Sequence, residues 1–260
     1  MTEAAWIAAA EAAADVAGAV IRPFFRAAHG IDAALKEDRS PVTIADRTAE
    51  LAMRAVLAER CPDHGILGEE FGLQRPEARL RWVLDPIDGT RAFITGRPIF
   101  GTLVALLEGD RPILGVIDQP VTGERWVGVA DQPTRFRGPF GGRPGCRACP
   151  DLGAAELSCT SPAMLNAEET PRWRRLADRV GRVSWGGDCY AYGLLALGQL
   201  DIVAESEMKP WDWAAIVPVV EGAGGRVTDW QGRPLRADGP GQVLAVGDPA
   251  LLDQAVALLR

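Results

Sequence analysis

The sequence predicts an α+β protein, and three observations carry that expectation. One amphipathic helical stretch lies near the start. A run of short strands joined by tight turns follows it, and the second half alternates strand and helix candidates. With 260 residues and 47% hydrophobic content, the chain can bury one large core or two closely packed lobes.

The opening MTEAAWIAAAEAAADVAGAVIRPFF reads as an alanine-rich helix carrying Glu3, Glu11 and Asp15. It lacks the basic leader of a signal peptide, and no stretch reaches roughly 18 uninterrupted apolar residues. A soluble, cytoplasmic protein is expected. From Asp46 to Arg60, Ala49, Ala52, Met53, Val56 and Leu57 recur at helical spacing and mark one buried face, with Thr43 and Asp46 placed as caps. Cys61-Pro-Asp-His-Gly65 ends that helix, and Ile66-Leu67 leads as a short strand into Gly68-Glu69-Glu70.

Arg81 to Leu84 is a second apolar run, which Asp85-Pro-Ile-Asp88-Gly-Thr90 is expected to break as a turn. Segments 101–107, 112–117 and 125–129 read as successive strands. FGGRPGCRACP, ending at Pro150, is the best crossing between an N-terminal lobe, 1–140, and a C-terminal lobe, 141–260. Beyond it, strand candidates 156–160, 201–204, 225–229 and 243–246 alternate with helix candidates 170–179, 190–197, 212–221 and 249–259. Pro218 falls inside one of those helices and predicts a kink or an early break.

The net charge of −7 argues against nucleic acid as the main partner, because phosphate backbones are gripped by clustered Lys and Arg. Five scattered cysteines suit a reducing compartment, and Cys146-Arg-Ala-Cys149 lacks the second half of a zinc site. Only His29 and His64 are present, which disfavours catalysis that depends on histidine.

In Asp85-Pro-Ile-Asp88-Gly-Thr90, two carboxylates three residues apart can enter one cavity with the Ile87 carbonyl. Hard oxygen ligands of this kind suit Mg²⁺. Gly89 would let the backbone approach a phosphate, and Thr90 adds a hydroxyl. Each piece also has a plain reading: a turn, a solvated Glu69-Glu70 pair, an N-cap at Asp212.

Gly68-Glu69-Glu70, Trp82-Val-Leu-Asp85-Pro-Ile-Asp88-Gly-Thr90, and Trp211-Asp212 with Glu221-Gly-Ala-Gly-Gly225 together resemble the inositol monophosphatase family, in order and spacing, over nearly the whole chain. The resemblance implies a layered αβαβα sandwich, a homodimer, and hydrolysis of a small phosphorylated metabolite with two or three Mg²⁺ ions. It implies metal ligands at Glu69, Asp85, the Ile87 carbonyl, Asp88 and Asp212. Glu69 with Thr90 would activate water, and Asp46 would stand near a further metal. Lys36 and Ser40-Pro-Val-Thr43 resemble the family's mobile loop, although Glu37-Asp38-Arg39 is more charged than expected.

Arg91 to Thr102, Trp185-Gly-Gly-Asp188-Cys-Tyr-Ala-Tyr-Gly193 and Lys209-Pro-Trp-Asp212 resemble the histidinol-phosphatase branch. The substrate-binding candidates are Asp88, Gly89, Thr90, Arg91, Asp188, Glu205 and Asp212, with a subunit contact the alternative for Arg91 and a structural role the alternative for Asp188 and Glu205. Asp188 and Glu205 would face the ammonium and imidazole of the substrate. Inositol-1-phosphatase or another small-metabolite phosphatase is the alternative, and a non-enzymatic regulatory role is a third reading.

Overall fold

The computed structural model describes residues 2–28, 33–35 and 41–260. Helix α1 (Glu3–Ile21) starts at an N-cap, Thr2, whose hydroxyl accepts from the Ala5 amide. A short hairpin, β1 (Ala33–Leu35) and β2 (Pro41–Thr43), precedes α2 (Ile44–Arg60). Thr43 and Asp46 form a reciprocal capping box on α2, satisfying amides that would otherwise be orphaned.

Then come β3 (Gly65–Gly68), β4 (Gly72–Gln74), β5 (Leu80–Asp88), α3 (Thr90–Ile94), β6 (Gly101–Glu108), β7 (Arg111–Gln119), β8 (Glu124–Val129) and β9 (Arg135–Arg137). They build a seven-stranded sheet in the order β4-β3-β5-β6-β7-β8-β9, antiparallel except for the parallel pair β3 and β5. The chain continues with β10 (Glu156–Cys159), α4 (Glu169–Ala177), β11 (Arg182–Trp185), α5 (Asp188–Ala196) and β12 (Ile202–Glu205). It closes with α6 (Pro210–Trp213), α7 (Ile216–Gly222), β13 (Arg226–Thr228), β14 (Val243–Val246) and α8 (Leu252–Leu259). The second sheet has five strands in the order β11-β10-β12-β14-β13, with β14 antiparallel to both its neighbours.

Alternation along the strands makes both faces of the large sheet apolar. Trp82, Leu84, Val104 and Leu106 meet α1 and α2, while Val83, Leu103, Ala105 and Leu107 face α5, α6 and α7. Those middle helices also cover Val203, Val243 and Ala245 of the small sheet. On its far side, Ile202, Ala204 and Leu244 pack with α4 and α8 through Trp173, Leu176 and Leu259. The result is the expected αβαβα sandwich.

Helix Glu3–Phe24 is by length and composition apolar enough to cross a membrane. Here Ala9, Ala10, Ala13, Ala14 and Ala17 are fully buried in the core that also holds Ala45 and Ala49 of α2. Alanines permit that close helix contact, and larger side chains would force the helices apart. Arg125 fastens the layer, bonding Asp118 at 2.6 Å and Asp15 of α1 at 2.7 Å.

Gly115 of β7 and Gly128 of β8 are cross-strand partners. A Cβ at Gly115 would stand 2.1 Å from the Ala215 carbonyl oxygen, and one at Gly128 would stand 2.3 Å from that of Pro218. The middle helices therefore lie backbone-down on a glycine saddle. The single helix expected over 212–221 is two helices broken at Ala214–Ala215. Pro218 is the third residue of α7, where its missing N–H would have had no intrahelical partner, so it costs the helix no bond.

Two further expectations are corrected. Asp85–Asp88 is no turn: β5 continues to Asp88, and its pairing with β6 shifts register between Asp85 and Asp88. Pro86 sits in that bulge, where a strand tolerates the loss of an amide donor. The buried stripe of α2 holds Ala45, Asp46, Ala49, Glu50, Met53 and Leu57, whereas Ala52 and Val56 are half-buried.

Candidate active site

The bulge at the end of β5 gathers the acidic residues. Asp85 Oδ1 accepts from the Ile87 amide at 3.0 Å within the bulge, and the Asp85 and Asp88 carboxylates converge. Gly89 follows with φ 86° as the N-cap of α3, a conformation that favours glycine. Thr90 then donates its hydroxyl to the Ile87 carbonyl at 3.1 Å, and reaches Asp46 Oδ1 at 3.5 Å. Thr102 holds the neighbouring Pro86 carbonyl at 2.8 Å.

Asp212 arrives from the middle helical layer. It is not the N-cap of α6: it lies at the third helical position, where Oδ2 accepts the Lys209 amide at 2.6 Å. Carboxylate oxygens of Asp85, Asp88 and Asp212 lie within 4.8 Å of one another. Burial raises the pKa of all three, with repulsion from neighbouring carboxylates adding to it, to about 8 for Asp88 and about 7 for Asp212. Asp85 is pushed well up by burial, by Glu69, Asp88 and Asp212, and by a hydrogen bond with Glu69. Three crowded anionic oxygens with hard donor chemistry fit a divalent cation, which would restore their charged forms. Glu69 follows β3, with its amide bonded to the Leu84 carbonyl at 3.2 Å, and so stands beside Asp85. Asp46 is buried, its carboxyl shifted up to about 6 chiefly by desolvation, and it bonds the Thr43 amide at 2.8 Å.

A cavity of about 690 Å³ opens above this floor, lined by Glu69, Asp88, Arg91, Asp188, Glu205 and Asp212 among others. Arg91 is exposed at its rim. Asp188 is the first residue of α5, two residues earlier than expected, and adopts φ 44°, a left-handed conformation rare for a non-glycine residue. Burial and the charges of Asp88 and Glu205 lift its carboxyl to about 8. The next amide, Cys189 N–H, donates to Asp88 Oδ2 at 2.5 Å. Glu205 is buried and accepts from the Thr160 amide at 2.7 Å and the Tyr192 hydroxyl at 2.8 Å.

Sequence reasoning missed three residues that shape this pocket. Thr160 ties Glu205 to the start of α5, donating its amide to the Glu205 carboxylate and accepting the Asp188 amide on its hydroxyl at 3.1 Å. Tyr192 braces Glu205, and Glu50 holds the turn that follows Glu69. Glu50 carried a readable signal: a glutamate one helical turn after Asp46, flanked on its face by Ala49 and Met53. Lys36 and Ser40 of the expected mobile loop lie outside the described residues.

A larger cavity of about 830 Å³ lies across α6, sharing Pro240 with the acidic one. Trp211 lines the acidic pocket and Trp213 the other. Arg111 pairs with Asp131 and Arg233 with Asp229 at the larger cavity, which lacks the carboxylate cluster of the acidic one. Cys146 and Cys149 are free thiols, and Cys149 contacts the Asp151 carbonyl.

Fold and carboxylate floor together define a phosphatase scaffold, and the comparisons agree. The model of the inositol monophosphatase family matches residues 3–259, and the chain belongs to that family. It is 45% identical over 258 residues to the bifunctional phosphatase IMPL2, chloroplastic, of Arabidopsis thaliana, covering 96% of this chain and 73% of that one. To the histidinol-phosphatase of Mycobacterium tuberculosis it is 39% identical over 208 residues, 76% of this chain and 77% of that one. A solved inositol monophosphatase from Zymomonas mobilis superposes with a TM-score of 0.88 at 50% identity, covering 97% and 96% of the two chains. The chain is thus a phosphoric monoester hydrolase of a metal-dependent family that acts on small phosphorylated metabolites.

Proposed function

We propose that this enzyme hydrolyses L-histidinol phosphate to L-histidinol and phosphate, using Mg²⁺, in histidine biosynthesis. One observation carries the substrate: Asp188 and Glu205 add two carboxylates to the pocket beyond those able to hold metal. An ester of a neutral polyol brings them no positive charge, whereas histidinol phosphate brings an ammonium and an imidazole. Relatives named histidinol-phosphatase support this reading.

Glu69, Asp85, the Ile87 carbonyl, Asp88 and Asp212 would hold two or three Mg²⁺ ions. When bound, such ions lower the pKa of water and neutralise phosphoryl charge. Glu69 accepts the proton of the attacking water, the Thr90 hydroxyl orients it, and Asp46 keeps that hydroxyl in place. The Gly89 and Thr90 amides and Arg91 receive the phosphoryl oxygens. Asp188 then stands beside the leaving group, close above Gly89. The five free thiols suit work in the reducing cytoplasm, and the family resemblance supports a homodimer whose lobes, 1–140 and 141–260, close on one site.

The test is phosphate release with Mg²⁺ from histidinol phosphate and from inositol 1-phosphate, compared by kcat/KM. A preference of tenfold or more for histidinol phosphate supports the assignment. The reverse preference establishes the second reading, inositol-1-phosphatase, which the likeness to the Zymomonas mobilis structure favours.

A further inference from the structure

Glu50 lies outside the residues that could hold metal or substrate, yet its side chain is fully buried. Both its oxygens are engaged. Oε2 accepts the Glu70 amide at 2.7 Å, while Oε1 accepts the Phe71 amide at 3.2 Å and Arg54 Nε at 2.7 Å. Arg54 extends the clamp by donating Nη2 to the Gly72 carbonyl at 2.5 Å. Gly68 leaves room for it, since a Cβ there would fall 2.0 Å from Glu50 Oε1. On its other side the Glu69 amide is pinned to Leu84 of β5. Glu69 is therefore held from before by the sheet and from after by α2.

One helical turn earlier on the same buried stripe, Asp46 contacts the Thr90 hydroxyl. Positions i and i+4 face the same way on a rigid helix. We propose that Glu50 is a positioning residue for hydrolysis: from α2 it sets Glu69 in register with Thr90, so that one helix spaces the two halves of the water-activating pair. An apolar side chain in its place would strand the Glu70 and Phe71 amides and release the turn. The inference rests on the reading of Glu69 as the group that activates water.

The experiment compares Glu50→Ala, Glu50→Gln, Arg54→Met and Glu69→Gln on the best phosphate ester, at a temperature where circular dichroism shows each folded. Arg54→Met removes the ion pair but leaves both amide bonds to Glu50. The expected result is that Glu50→Ala lowers kcat tenfold or more with KM within about threefold. Glu50→Gln keeps the shape and one acceptor, and is expected to lose less. Arg54→Met is expected to lower Tm while holding kcat within about threefold. Should Glu50→Ala not fold, the split between Glu50→Gln and Arg54→Met decides. Equal loss of kcat in the Glu50 and Arg54 variants, or wild-type kcat in the Glu50 variants, overturns the proposal. Full activity in Glu69→Gln would instead overturn the role given to Glu69, a separate failure.

Discussion

The carboxyl group of Asp188 lies directly over Gly89: a Cβ on that glycine would stand 2.8 Å from Asp188 Cγ. The contact joins the end of the large sheet to the start of α5, and it occurs where both residues have positive φ. Gly89→Ala therefore meets backbone strain and a clash together. The expected outcome is a fall in kcat/KM of about 100-fold with the thermal transition lowered but cooperative, as measured by steady-state phosphate release and calorimetry.

Without metal, the acidic floor should make stability fall as pH rises. Asp88 and Asp212 titrate near 8 and 7 in the fold, against an ordinary value of 3.8. Between about pH 4 and 8 the folded state therefore holds more protons than the unfolded one, so these groups' contribution is fully present at low pH and lost as pH climbs. Added Mg²⁺ competes with those protons, and its stabilising effect should grow across the same window. Melting curves at pH 5 and pH 8, with chelator and with Mg²⁺, check this. An equal Mg²⁺ shift at both values would contradict it.

Asp188→Asn should separate substrates. Loss of the charge is expected to lower kcat/KM for histidinol phosphate about tenfold while leaving inositol 1-phosphate within about twofold. Glu205→Gln should harm both esters, because that carboxylate also holds the Thr160 amide and Tyr192. Parallel losses for Asp188→Asn would remove the case for a cation at that position.

The glycine saddle makes a stability prediction that is independent of chemistry. Gly128→Ala drives a methyl into the Pro218 carbonyl, and overpacking of this kind costs about 1–3 kcal/mol. At about 2–4 °C per kcal/mol for a chain of this size, Tm should drop by several degrees. Gly115→Ala strikes the joint after Asp212 and should cost activity as well. Unchanged Tm in both would mean that α7 slides freely on the sheet.

Much of this was legible in the residues alone. The carboxylates fall in short motifs of hard oxygen donors, and the strands of the large sheet stand out as apolar runs cut by Gly, Asp and Pro turns. What misled was tertiary context. Asp85-Pro-Ile-Asp-Gly reads locally as a turn, yet pairing with β6 extends the strand and absorbs Pro86 in a bulge. Asp188 starts a helix from a left-handed conformation that no propensity favours. Glu50 was overlooked because a glutamate on a helix is usually solvated, and its partners are amides twenty residues away.

The Cys189 amide that bonds Asp88 crosses 101 positions of sequence, and Asp212 lies further on still. A ribosome that has released the whole large sheet has therefore delivered Glu69, Asp85 and Asp88, but no hydrolytic centre. The cluster of Asp85, Asp88 and Asp212 closes only when the middle helical layer docks, so the large sheet alone carries two of its three members.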